Sequence, residues 1–273
     1  MQLADLNALS RDFIPTPTMP VLFIGHGSPM NAIEENEFAT GWQKVAAGLP
    51  KPNAILCISA HWETNGTWVT AMEQPRTIHD FYGFPKALFD VQYNAPGSPA
   101  LARLTSETIQ TTGVGLDQDW GLDHGAWSVL KHMYPDATIP VLQMSLNKNQ
   151  PPEWHYSLAQ ELRLLRNRGV LIIGSGNMVH NLGMMNWRLP DAGFDWADEA
   201  NNMIKRFIQE NNSLLLTQYH QLGREISMAV PTPEHYLPLL YILGLQQKEE
   251  AISFFNDKTV FGSISMTSLQ IGN

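Results

Sequence analysis

Val21-Leu-Phe-Ile-Gly-His26-Gly-Ser-Pro-Met30 is an apolar run that stops at a glycine and delivers a histidine. Four consecutive apolar residues suit a strand covered on both faces, and Gly27, Ser28 and Pro29 break it. The arrangement recurs in Ile55-Leu-Cys-Ile-Ser-Ala-His61-Trp62 and in Leu171-Ile-Ile-Gly-Ser-Gly-Asn-Met-Val-His180-Asn181. Strands are therefore predicted over residues 21–24, 54–58, 140–144 and 170–173. Between and after them lie helical patterns over 100–110, opened by Ser98 and Pro99, and over 126–133, 154–167, 198–210 and 234–245. A last strand-like run covers 260–269. Near-continuous apolarity in the strands, alternating with helices, predicts an α/β fold: a single domain with a central, mostly parallel sheet flanked by helices on both faces. No repeat, low-complexity tract or Ser/Gly linker divides the chain. Residues 1–273 are expected to form one domain, with 1–20 as an extended lead-in marked by three prolines.

Composition excludes several classes of function. Seventeen Lys and Arg against 26 Asp and Glu give a net charge of −9 over 273 residues. No basic run could neutralise a row of phosphates, so nucleic acid is not an expected partner. Cys57 is the one cysteine, set in an apolar run, so it is expected as a buried small hydrophobe in a reducing compartment. The longest apolar run, 237–245, is too short to span a bilayer. A soluble, cytoplasmic protein with no membrane partner is expected. The Gly-x-Ser-x-Gly elbow, the phosphate-binding Gly-x-x-x-x-Gly-Lys loop, Gly-x-Gly-x-x-Gly and His-Glu-x-x-His are all missing from the sequence.

What remains is histidine. In an open α/β sheet the carboxyl ends of the parallel strands share one edge, where ligands bind, so His26, His61 and His180 are expected to converge there. Gly25, Gly27, Gly174 and Gly176 would let the backbone turn sharply or approach a ligand. Converging neutral imidazoles suit a borderline transition metal. A fourth member is His235 in Pro231-Thr-Pro-Glu-His-Tyr-Leu-Pro-Leu239, read as a helix start with Thr232 as N-cap and Pro233 at the first helical position. The helix dipole there would keep the ring neutral. Glu234 or His235 is the third ligand on this reading, because two histidines and a carboxylate also frame oxygen-activating Fe(II). His124, in Trp120-Gly-Leu-Asp-His-Gly-Ala-Trp127, follows a possible helix cap, Asp123, and is placed to move protons. His79 lies in an aromatic segment that reads equally as a lid or a packed loop. His132, His155 and His220 lack the strand-end context and are read as structural or exposed.

Six segments in order resemble the class III extradiol ring-cleavage dioxygenases, in the branch of the bacterial and plant 4,5-DOPA dioxygenases. They are Gly-His-Gly-Ser-Pro-Met-Asn (25–31), Ser-Ala-His-Trp (59–62), Thr-Ile-His-Asp-Phe (77–81), Asp-His-Gly-Ala-Trp (123–127), Gly-Asn-Met-Val-His-Asn (176–181) and Pro-Thr-Pro-Glu-His-Tyr-Leu-Pro-Leu (231–239). The resemblance implies one catalytic α/β domain that opens a catechol ring beside its hydroxyls and incorporates both atoms of O2. With L-DOPA the product would be 4,5-seco-DOPA, which cyclises to betalamic acid. It implies one divalent metal held by His26, His61 and His235. His180 would be either a further ligand or the adjacent acid/base, and His124 a pocket histidine with acid/base duty. Zn2+ is the metal associated with the branch, whereas Fe2+ is what oxygen chemistry demands, since zinc has no redox change to offer. Tyr82, Trp62 and Arg76 are plausible substrate contacts, the last for a carboxylate. Two rival readings fit the same histidines. One is a zinc hydrolase of a small amide or ester, using metal-bound water. The other is a metal-binding module without turnover, against which stand the acid/base candidates His124 and His180.

Overall fold

The computed structural model describes residues 17–273. The lead-in expected over 1–20 thus lies mostly outside the described residues. The chain forms strands β1 (Val21–Gly25), β2 (Ala54–Thr64), β3 (Thr67–Thr70), β4 (Val114–Asp117), β5 (Val141–Asn147), β6 (Val170–Gly176), β7 (Ile252–Phe255), β8 (Thr259–Val260), β9 (Ile264–Ser265) and β10 (Ser268–Ile271). Eight of them make one sheet in the order β4-β3-β5-β2-β6-β1-β10-β7, and β8 pairs with β9 separately. The four central strands, β5, β2, β6 and β1, run parallel, while β10 and β7 continue antiparallel on one side. On the other side β3 is antiparallel to β5 and parallel to β4.

The central strands are apolar throughout because both faces are covered. Val21 and Phe23 join a core with Leu101, Leu158, Ile204 and Leu240, whereas Leu22 and Ile24 join a second core with Trp42, Trp127 and Leu130. Helices Pro99–Thr108, Pro152–Glu161, Asp195–Gln209 and Leu237–Leu245 thus cover one face, and Glu37–Gly48 and His124–Met133 the other. All nine residues of Leu237–Leu245 are buried, as expected of a helix apolar all round. Among the described residues no helix is long and apolar enough to cross a membrane.

Several elements differ from the sequence expectation. The helix predicted over 154–167 starts at Pro152 and is interrupted at Leu162 before Arg163–Arg166. The run over 260–269 is not one strand but contributes to β8, β9 and β10, with Phe261 and Gly262 at positive φ between the first two. The helix predicted from Glu234 begins at Leu237, so Thr232 is not its cap. Glu234, His235 and Tyr236 form the turn before it, closed by the Leu237 amide on the Pro233 carbonyl at 2.8 Å. Proline at position 238 suits a first turn, where its missing N–H costs no helical bond. Strands β3, β4 and β7 have four residues each, too few for a period to show in the sequence, and the Glu37–Gly48 helix is likewise an addition to the sequence expectation.

Candidate functional site

β1 and β6 end level with one another, and the ladder of β2 with β6 stops beside them: Ile24 and Ser59 both pair with Ser175, and Gly25 pairs with Gly176. His26 is the next residue after β1, its amide bonded to the Gly176 carbonyl at 3.2 Å. His61, expected beyond the end of its strand, instead sits within β2. That strand runs on to Thr64 and bulges against β5: five steps from Ile58 to Glu63 are matched by two from Met144 to Leu146. The surplus residues arch out of the ladder and re-aim the side chain. His180 follows β6 by four residues, and its amide bonds the Ala229 carbonyl at 2.8 Å.

Glycines hold these pieces close, but they approach neighbouring chain segments rather than a ligand. A Cβ on Gly176 would fall 2.1 Å from the His235 carbonyl oxygen, which instead accepts the Asn177 amide at 2.8 Å. A Cβ on Gly125 would meet Ser59 Oγ at 2.5 Å and the His61 ring at 3.0 Å. Side-chain-free backbone at those two places lets the turn before Leu237–Leu245 and the start of His124–Met133 close on the strand ends.

Five imidazoles meet there. The ring centres of His26, His61 and His235 form a near-equilateral triangle with sides of 5.0, 5.0 and 5.3 Å. His180 stacks on His235 at 3.5 Å, and His124 lies 3.9 Å from His61. His26, His124 and His235 are buried, and His61 and His180 half-buried. Burial, reinforced by neighbouring imidazoles, holds His26 and His235 well below the usual histidine pKa. Burial likewise pushes His61 down to about 3 and His180 to about 4. For His235 this loss of hydration and the adjacent rings, rather than the first turn of a helix, keep the ring neutral.

Each Nδ1 around the triangle faces a side-chain oxygen. The only proton of the Ser175 hydroxyl goes to the Gly125 carbonyl at 2.5 Å, so Ser175 accepts from His26 Nδ1 at 3.0 Å. His61 Nδ1 faces Asp80 Oδ2 at 3.4 Å, and His235 Nδ1 faces Glu234 Oε1 at 3.3 Å. A neutral imidazole that donates from Nδ1 carries its lone pair on Nε2. His26 Nε2 and His61 Nε2 nevertheless lie 3.1 Å apart. Two lone pairs at that distance repel unless a cation lies between them. Nitrogens each about 2.0–2.1 Å from one transition-metal ion, at angles of roughly 90–110°, would be about 3–3.4 Å apart. The donor set therefore fits a metal ion. Glu234 also accepts from the Thr232 hydroxyl at 2.8 Å. Donor atoms of His26, His61 and His124 lie within 4.8 Å of one another, and so do those of His180, Glu234 and His235.

Around the imidazoles the remaining candidates fall apart into two kinds. Asp123 caps His124–Met133 by accepting the Ala126 amide at 3.2 Å. It is fully buried, held by Ser59 and the Gln143 amide at 2.7 Å each, and burial raises its pKa to about 6. Asp80, absent from the sequence candidates although its neighbour His79 is among them, bonds His124 at both carboxylate oxygens. Its signal was its place in the Thr-Ile-His-Asp-Phe segment. His79 points away, its Nε2 bonded to the Val91 carbonyl at 3.0 Å among Phe81, Phe89 and Trp127. Trp62 is buried and stacked on Trp120 at 5.5 Å, Arg76 Nε is spent on the Trp120 carbonyl at 3.0 Å, and Tyr82 is 92% exposed. His132 bonds the Asn31 carbonyl, His155 lies buried against the Tyr241 hydroxyl, and His220 is exposed.

Comparison with known proteins gives this site its class. Residues 16–268 match the family described as the catalytic LigB subunit of aromatic ring-opening dioxygenase. The chain belongs to this family. It is 46% identical to the 4,5-DOPA dioxygenase extradiol of Escherichia coli strain K12, over 98% of this chain and 100% of the relative. It is 38% identical to the enzyme of the same name in Beta vulgaris, over 81% of this chain and 85% of the relative. A crystal structure of an uncharacterized Escherichia coli K12 protein superposes with a TM-score of 0.79 at 41% identity, covering 93% of this chain and 100% of that one. This LigB-family chain is thus an extradiol ring-opening dioxygenase, an oxidoreductase with a histidine-rich site suited to a metal. The hydrolase and non-catalytic readings of the same histidines give way to it.

Proposed function

We propose that this LigB-family enzyme opens L-DOPA or a closely related small catechol at the 4,5 bond, at one divalent metal held by His26, His61 and His235. The approach of His26 Nε2 to His61 Nε2 at 3.1 Å is the observation that carries this pair as ligands, and the His235 ring, 5.3 and 5.0 Å from theirs, supports it as the third. The names of the bacterial and plant relatives support the substrate. Fe(II) held by these residues would supply the redox change that O2 chemistry requires and that zinc lacks. Glu234 acts on His235 Nδ1 as an orienting carboxylate rather than as a third ligand.

The protein's own part is to hold the catechol and move its protons. His180, neutral and stacked on His235, accepts a proton from one catechol hydroxyl at a ring nitrogen. His124 commits Nδ1–H to Asp80 and so presents Nε2 as the second acceptor, returning a proton to oxygen as the ring opens. General acid–base help of this kind contributes roughly 10²- to 10⁴-fold per group. Phe81, 5.6 Å from His124, walls the site with an apolar ring that displaces water. Both oxygen atoms enter the product, 4,5-seco-DOPA, which cyclises to betalamic acid. Anaerobic loading with Fe(II), followed by addition of L-DOPA and air, is expected to give oxygen uptake and the yellow product, while zinc alone gives neither. Failure of uptake across L-DOPA and a panel of small catechols would overturn the proposal.

A further inference from the structure

The backbone before Asp80 is tied down as firmly as a strand. Thr77 bridges Leu122, the Ile78 amide bonds the Leu122 carbonyl at 2.7 Å, and the Trp127 indole donates to the Ile78 carbonyl at 2.8 Å. Across from it the start of His124–Met133 is pinned through Asp123 to Ser59 and Gln143. Between these two anchored segments the Asp80 side chain, 15% exposed, reaches both His124 and His61. Its Oδ1 accepts the His124 backbone N–H at 2.9 Å. Its Oδ2 accepts His124 Nδ1–H at 2.9 Å and faces His61 Nδ1 at 3.4 Å.

We propose that Asp80 is a positioning residue that sets, through one carboxylate, the tautomer and orientation of both a metal-holding histidine, His61, and the proton-handling histidine, His124. The inference rests on the proposed function for the duties of the two rings, but the wiring itself is a matter of donors and acceptors. With both His124 N–H groups bonded to it and His61 Nδ1 at 3.4 Å, the side chain must accept at both oxygens, which an ionised carboxylate does. Both rings are then held with the proton on Nδ1 and the lone pair on Nε2. For His61 that lone pair faces His26, and for His124 it is left free for substrate. A carboxylate behind a ligating imidazole also strengthens it as a donor.

Asp80→Asn is the discriminating change because it keeps the shape and removes one acceptor. With its oxygen at the Oδ2 place, the amide NH2 confronts the His124 backbone N–H. With the oxygen at the Oδ1 place, NH2 confronts both Nδ1 atoms and drives their protons to Nε2. Histidine 15N NMR on the metal-free protein is expected to show Nδ1–H tautomers for His61 and His124 in the wild type. In Asp80→Asn, Nε2–H signals should appear for one or both. Zn2+ affinity, read by competition with a chromogenic chelator, should fall about 10- to 100-fold, and kcat for ring opening should fall more than KM rises. Unchanged tautomers together with unchanged Zn2+ affinity in the folded variant would overturn the inference. Should Asp80→Asn not fold, Asp80→Ser removes the same acceptors with a smaller side chain and is read in the same way. The NMR and zinc arms need no turnover. A wild type inert towards every catechol defeats the proposed function alone, whereas an active wild type matched by an equally active, equally metal-binding variant defeats the role of Asp80 alone.

Discussion

The Leu237–Leu245 helix joins two buried polar clusters at opposite ends of the sheet, and they are built on opposite rules. At its far end Arg166, fully buried, donates to the Met19 carbonyl at 2.7 Å and the Leu245 carbonyl at 2.9 Å and pairs with both oxygens of Glu250. The guanidinium has acceptors on every nitrogen, in the fork geometry that suits a carboxylate. At its near end the turn carrying His235 joins four other imidazoles; Nδ1 of His26, His61 and His235 each faces an oxygen, while Nε2 of His26 and His61 face each other. One cluster meets every donor nitrogen with an acceptor of the chain, whereas in the other the Nε2 atoms of His26 and His61 face each other at 3.1 Å. A closed cluster belongs to the architecture. An open one is held in place by the rest of the fold and suits a metal.

The strongest way to break the contrast is at the open end. His26→Ala is expected to abolish stoichiometric metal binding and oxygen uptake, yet leave the metal-free protein folded, since removing one of several mutually repelling buried imidazoles relieves the cluster. Metal analysis and a thermal melt of the apo-protein check both halves. Unfolding of this variant would mean that the histidines are structural. Next in size, Arg166→Ala should cost about 3–5 kcal/mol by leaving Glu250 and two carbonyls without their partner. Denaturant midpoints would show the loss, while activity per folded molecule stays near wild type.

Acid separates the two ends most finely. His61 and His180 have folded pKa values of about 3 and 4 against 6.5 for an unperturbed histidine. Below pH 6.5 the unfolded chain takes up protons that the folded chain refuses. Stability of the metal-free protein is therefore full above 6.5 and lost as pH falls through the folded values. Each such histidine contributes a slope of about 1.4 kcal/mol per pH unit. Glu250 is held low by its bonds to Arg166 and the Gln247 amide, which outweigh burial, so its contribution is lost only as pH falls below the ordinary glutamate range near 4.5. Denaturant titrations between pH 7.5 and 3 should show two successive declines, and His61→Ala should flatten the upper one. A single decline beginning near 4.5 would show that the site histidines are not held neutral.

Much of this protein is written locally. Apolar runs at 21–24, 54–58, 140–144 and 170–173 specify buried parallel strands because no exposed or one-sided strand tolerates them, and the structure places β1, β2, β5 and β6 there. The residue after such a strand is at the sheet's carboxyl edge by construction, which is why His26 was legible. His61 and His235 were legible as candidates but not in their settings. A bulge and a pre-helical turn depend on what packs against them, here β5 on one side and the end of β6 on the other. Asp80 was hidden for the same reason. Its chain neighbour His79 carries the louder chemical signal, and only the pairing of 77–78 with Leu122 turns the carboxylate towards two rings at once. The sequence by itself determined the layers, the strand ends and the supply of imidazoles, since burial and periodicity act over a few residues. Tertiary structure alone decided which ring nitrogen carries a proton and which faces its neighbour, because tautomers are set by acceptors brought from segments far apart in the chain.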